Sequence, residues 1–193
     1  MELVLGIIIS ALITNNIVFS QTLGICPFLG VSKKLKSAVG MGLAVTLVIT
    51  VSTLLAWTVN QFILLPLDIG YLRIIMFILL IAGLVQLLDI ILKKFVPAIY
   101  NSFGIYLALI TTNCAVLGTA MALAGAEPVN IGITFVTAVF TGLGFLLALV
   151  MMAGVRERME TAHVPQFFKG FPITLIAAAI MAMAFYGFST FAF

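Results

Sequence analysis

The chain has 193 residues, of which 64% are hydrophobic and only 8% charged, and its mean hydropathy is +1.33. A soluble domain is about 45–50% apolar and about 25% charged, so these proportions exclude a soluble globular enzyme and define an integral membrane protein. The net charge of +3 sits in short juxtamembrane clusters without interleaved aromatics, which excludes a nucleic-acid surface and leaves lipid as the medium.

Apolar runs cover residues 3–19, 39–59, 74–88, 103–124, 129–155 and 171–193. Several are near the roughly 20 residues that a bilayer-spanning helix needs. The apolar residues are continuous rather than alternating, so a barrel of period-2 strands is a poor alternative. The predicted fold is all-α, with six transmembrane helices. The first run lacks a basic start and a small-x-small cleavage site and is expected to stay as a helix. The connections are short, so one membrane domain is expected over 1–193.

The end of the first run reads "LGICPFLG". Pro27 has no N–H and disfavours helix in the residue before it, Cys26. Counting from Leu3 puts Cys26 near the inner surface, and a break around Asn15 and Asn16, or around Gly24, would bring it back toward the midplane. Lys33, Lys34 and Lys36 follow. In the second and fifth runs Gly40, Gly42, Gly142 and Gly144 are small enough for close helix contact. At the end of the third run Asp89 precedes Lys93 by one helical turn, an i,i+4 pair. The fourth run contains "ITTNCAVLG", where Thr111, Thr112 and Asn113 lie about ten residues in, roughly halfway across at about 1.5 Å per residue. Polar groups at that depth must be buried in protein or line a cavity, which predicts Cys114 in the core of the domain. Arg156, Glu157, Arg158 and His163 read as a solvated loop face.

All of the nine basic residues except Arg73 fall between helices one and two, three and four, or five and six. The positive-inside rule then puts those three loops in the cytoplasm and both termini outside. "CPFLG" at 26–30 and "CAVLG" at 114–118 share C-x-x-L-G. Three helices separate the copies, so they enter the membrane from opposite sides. This predicts an inverted-topology 3+3 repeat with interrupted helices one and four, halves of about 1–97 and 98–193, and a site near the midplane.

A single buried cysteine is ordinarily a small hydrophobe, but here the motif repeats. A disulfide between Cys26 and Cys114 would tie together the two positions best placed for function. Metal ligation is the sharper reading. A 2Fe-2S cluster ordinarily takes four thiolates and the chain has two, so a second chain must supply the others. Zinc would accept the same sulfurs. A small secondary transporter is the alternative of a different class, since inverted repeats with broken helices describe those too.

The stretches "NNIVFSQTLGICPFLGVSKKLKSAVGMGLA", "GIYLALITTNCAVLG", "AGVRERM" and "HVPQFFKGFPITLIAAAIMAMAFYGFS" closely resemble the A-type membrane subunits of the Rnf ion-translocating electron transport complexes. That family is shared with two subunits of the Na⁺-translocating NADH:quinone reductase. Pro27 after Cys26 sides with the A-type branch, and so do the outward termini. The resemblance implies six-helix inverted-repeat proteins that pair as antiparallel heterodimers, here with the E-type Rnf subunit, and share one midplane 2Fe-2S cluster. It implies Cys26 and Cys114 as two of the four ligands. Thr111, Thr112 and Asn113, read from their own polar atoms and depth, are candidates to hydrogen-bond the sulfurs or to line an ion path. The resemblance also implies further Rnf subunits of the B, C, D and G types, flavins and NAD on those other chains, and a place in the bacterial cytoplasmic membrane. The complex as a whole would couple electron transfer between ferredoxin and NAD to Na⁺ or H⁺ translocation.

Overall fold

The computed structural model describes residues 2–32, 34–67, 70–95, 109–110, 112–124, 130–161, 165 and 167–191. The described residues hold helices and turns and no strand. The helices are α1 (Glu2–Ile9), α2 (Ile25–Val31), α3 (Leu35–Val59), α4 (Arg73–Phe95), α5 (Cys114–Ala124), α6 (Ile131–Glu160) and α7 (Phe171–Phe191). Two π-helical turns extend α1 and α3, at Ser10–Thr14 and Asn60–Leu64. Three segments, Leu35–Leu64, Gly70–Ile91 and Ile131–Glu160, are long and apolar enough to cross a membrane.

The centre of the fold is the packing of α3 on α6, with α5 against α3 and α4 against both α3 and α5. Small residues set the distance between α3 and α6. A Cβ placed on Gly42 would lie 3.1 Å from Cα of Leu146, and one on Gly142 would lie 2.8 Å from Cα of Thr46. Each glycine faces the residue four beyond the other, so the crossing is reciprocal. Backbones that approach this closely gain dispersion contacts, the main attraction available to helices already surrounded by lipid.

Several hydroxyls on these helices are satisfied by their own backbone. Thr46, Thr50, Ser52, Thr58, Thr137 and Thr141 each donate to the carbonyl four residues earlier, at 2.6–2.8 Å. A hydroxyl that bonds back to its own helix removes its donor from the lipid without needing a partner chain.

Helix one is broken, at both of the places the sequence suggests. Helical structure stops at Thr14 and resumes at Ile25, with Thr22 at φ 55° and Gly24 at φ 78° between. Asn16 holds the break from the inside. It is fully buried; its Oδ1 accepts from the N–H of Val18 (3.0 Å), and its Nδ2 donates to the carbonyls of Leu12 (3.1 Å) and Gly144 (2.9 Å). Phe19 then stacks on Phe185 of α7 and meets Phe28 edge-on, with centroids 4.5 and 5.7 Å apart.

Candidate functional site

Both cysteines stand at the start of a short helix that follows a break. Cys26 is the second residue of α2, and Pro27 is its third. Pro27 therefore does not keep Cys26 out of the helix. It sits in the first turn, where the N–H has no intrahelical acceptor and its loss costs nothing. The preceding Gly24 supplies the left-handed turn, a conformation that carries a steric penalty for other residues.

Cys114 is the first residue of α5, and Asn113 caps it. The Asn113 Oδ1 accepts from the N–H of Ala115 at 3.0 Å, the bond expected of an asparagine N-cap. The Nδ2 of Asn113 is buried without a partner. Thr112 is exposed in the turn before it. Thr111, like Lys33 and His163, lies outside the described residues.

The two breaks meet. The backbone N–H of Gly24 donates to Sγ of Cys114 at 2.9 Å, which brings Cys114 to within two residues of Cys26 along the chain. A Cβ on Gly24 would lie 3.1 Å from Ala115 Cβ and 3.3 Å from Asn113 Oδ1. A Cβ on Gly118 would lie 2.5 Å from Leu23 Cδ1, so the crossing is close on both sides. Both cysteines are free thiols and both are exposed. The expected burial of Cys114 is thus corrected. Ala115 and Val116 take the inward positions of the first turn, and the thiol is turned to the surface.

Arg156 is a second correction. Arg156, Glu157 and Arg158 belong to α6 rather than to a loop, and of the three only Glu157 and Arg158 are exposed. Arg156 is half-buried and donates through Nη1 to the carbonyl of Leu29 (2.7 Å) and to Ser32 Oγ (2.8 Å), and through Nη2 to Thr174 Oγ1 (3.2 Å). It ties the end of α2, the helix that carries Cys26, to α6 and α7. Neither this clamp nor the Asn16 bond to Gly144 is marked by a motif. The signal that points to Gly24 is the glycine two residues ahead of the first cysteine.

These features define a helical membrane protein with two chain breaks joined at a sulfur and two free thiols turned outward. The sequence of residues 4–192 matches the family described as Rnf-Nqr subunit, membrane protein. The chain belongs to that family. It is 52% identical over 189 residues, 95% of each chain, to the A subunit of the Na⁺-translocating ferredoxin:NAD⁺ oxidoreductase complex of Acetobacterium woodii. It is 47% identical over 185 residues to the A subunit of the proton-translocating ferredoxin:NAD⁺ oxidoreductase complex of Clostridium ljungdahlii, covering 96% of this chain and 95% of that one. It is also 47% identical over 189 residues to the A subunit of the ion-translocating oxidoreductase complex of an Azoarcus species, covering 96% and 95%.

Proposed function

We propose that this chain is a membrane subunit of an ion-translocating ferredoxin:NAD⁺ oxidoreductase complex and holds half the ligands of a 2Fe-2S cluster that relays electrons across the membrane. The observation that carries this reading is the pair of exposed thiols, Cys26 and Cys114, on two breaks joined by the Gly24 to Cys114 hydrogen bond. The donor set fits the group: thiolates are soft ligands suited to iron-sulfur clusters, and the Gly24 N–H already donates to one of the two sulfurs. Two sulfurs are half of a four-thiolate set, and their exposure lets a second chain bring the other half. When bound, the cluster supplies one-electron transfer. The chain's own part is to fix the two sulfurs on rigid helix starts and to leave the facing side open.

The paired chain in this reading is the E-type Rnf subunit, with flavins and NAD on chains of the B, C, D and G types. The reciprocal crossing at Gly42 and Gly142 supports a pseudo-two-fold relation between the halves, as a six-helix inverted repeat requires. A place in the bacterial cytoplasmic membrane comes with this reading, and the basic loops support an orientation with both termini outside.

The test is EPR of the dithionite-reduced pair after copurification, with Cys26→Ser and Cys114→Ser introduced one at a time. Each should remove the native signal and stop ferredoxin-dependent NAD⁺ reduction in vesicles while the complex stays assembled on a native gel. Assembled complex with an unchanged signal in both variants would return the cysteines to the role of surface thiols.

A further inference from the structure

The C-terminal end of α6 and the start of α7 enclose a cavity of about 290 Å³. Its polar lining is Arg156, Glu160, Lys169 and Thr174, and Met159 and Ile173 supply apolar walls. Pockets for drug-sized ligands run from roughly 300 to 1,000 Å³, so this one has room for a small polar group.

Charges of both signs meet here. Glu160 lies one helical turn beyond Arg156 on α6, so the two share a face, and Lys169 comes from the turn before α7. The bonds of Arg156 to Leu29, Ser32 and Thr174 engage three of its five N–H groups. Thr174 in turn donates to the carbonyl of Gly170 at 2.9 Å. This network ties the start of α7 to α6 and fixes the floor of the cavity, where Thr174 is buried, while Glu160 and Lys169 are exposed.

The turn that carries Lys169 is aromatic. Phe167 is 89% exposed, Phe168 46% and Phe171 60%, and the rings of Phe167 and Phe168 meet edge-on with centroids 5.8 Å apart. Exposed rings around a lysine suit the boundary between headgroups and acyl chains, where rings enter the apolar layer and the ammonium stays among the phosphates. The apolar stretch of α6 ends at Val155 and that of α7 begins at Phe171. The cavity therefore lies at the level of the headgroups.

We infer that this cavity seats the headgroup of a phospholipid that carries a phosphate followed by a primary ammonium, a phosphatidylethanolamine. The phosphate meets the cations Lys169 and Arg156, and the ammonium donates to the Glu160 carboxylate, each a charge-assisted bond. Basic pockets between membrane helices are known seats for lipid headgroups, and Glu160 makes this one selective. It repels a headgroup whose only charge is negative. A trimethylammonium headgroup has no N–H to give it. The site requires no cluster and stands apart from the redox reading.

The test uses the purified, delipidated complex, titrated in detergent with phosphatidylethanolamine, phosphatidylcholine or phosphatidylglycerol of the same chains, with bound lipid counted by native mass spectrometry. Wild type should hold one phosphatidylethanolamine whose affinity falls about tenfold in Glu160→Gln, a loss of about 1.4 kcal/mol. Phosphatidylcholine binding should be the same in both. Lys169→Gln should weaken both lipids. Both substitutions are at exposed positions, so the fold should persist, as a native gel of the complex would show. Lys94→Gln, at an exposed position at the end of α4, should change neither lipid. A loss in Lys94→Gln equal to that in Lys169→Gln overturns the site, since it would mean diffuse attraction to the basic clusters. Tighter binding of phosphatidylglycerol than of phosphatidylethanolamine in wild type overturns it as well, since the cavity would then be a plain anion patch. Soluble phosphoethanolamine that binds as tightly as the lipid would overturn the assignment to a membrane lipid.

Discussion

The backbone N–H of Gly24 and Sγ of Cys114 are 2.9 Å apart although ninety positions separate them in the chain, and this one bond joins the two broken segments. It makes Gly24 a positioning residue for the sulfur. Gly24→Ala places a Cβ 2.7 Å from Phe145 Cε2 and forces alanine to φ 78°. The left-handed conformation costs about 1–2 kcal/mol, and the clash adds to it. The loop is expected to shift and the N–H to leave the sulfur. Hydrogen bonds to cluster sulfurs are among the factors that set reduction potential. Losing this one should move the midpoint potential of the paired complex to a more negative value in an EPR-monitored titration. An unchanged potential in an assembled Gly24→Ala complex would show that the bond does not tune the site.

The crossing of α3 and α6 leaves no room for a side chain. Gly142→Ala puts a methyl 2.8 Å from Thr46 Cα, a backbone atom that cannot rotate away. Overpacking of this kind costs about 1–3 kcal/mol. Gly83, on α4, has nothing within 4 Å of its Cβ position. Gly83→Ala is therefore expected to be neutral or slightly stabilising, since glycine in a helix interior is about 0.8–1.0 kcal/mol worse than alanine. Thermal aggregation of the detergent-solubilised pair distinguishes the two. Equal midpoints for both variants would mean that the crossing tolerates separation.

Much of this arrangement is legible in the residues. Continuous apolar runs set the helices, because a lipid-exposed segment has to be apolar along its whole length. The repeated C-x-x-L-G locates both helix starts, and Asn15, Asn16 and Gly24 locate the first break. Pro27 reads as a breaker in sequence and is none in the fold, because its effect depends on position: in a first turn it costs nothing. Cys114 reads as buried because depth in the membrane resembles burial in the chain, whereas the thiol is exposed, as the shared site proposed above calls for. Arg156 gives no signal. Its neighbours Glu157 and Arg158 are solvated, and only the rotation of α6 decides which of three adjacent charges turns inward.

The distribution of basic residues sets a labelling pattern. Lys36→Cys and Lys169→Cys should react with a membrane-impermeant maleimide in inverted vesicles and not in intact cells. Tyr71, 82% exposed in the turn that precedes α4, should behave in the opposite way as Tyr71→Cys. The warrant is the positive-inside rule applied to short loops. Tyr71→Cys labelling from the cytoplasmic side alone would invert the topology.

Arg156 tests whether the helix that carries Cys26 needs an anchor at its far end. Its guanidinium satisfies the Leu29 carbonyl, in the last turn of α2, together with two hydroxyl residues, Ser32 at 0% and Thr174 at 2% exposure. The last carbonyls of a helix have no intrahelical donor, so Arg156→Met leaves this one without its partner in a dry environment. An unsatisfied buried polar group costs about 1–3 kcal/mol. Arg156→Lys should recover only part of that, because an ammonium lacks the planar fork that reaches three acceptors from one position. The expected order of thermal stability is wild type, then Lys, then Met. Arg158→Met, at an exposed position on another face of α6, should stay within about 0.5 kcal/mol of wild type. A loosened α2 should also broaden the EPR lines of the paired complex, because Cys26 would sample more than one geometry. A merely local packing role would lower stability and leave the line shape as it was, and that combination would remove Arg156 from the support of the site.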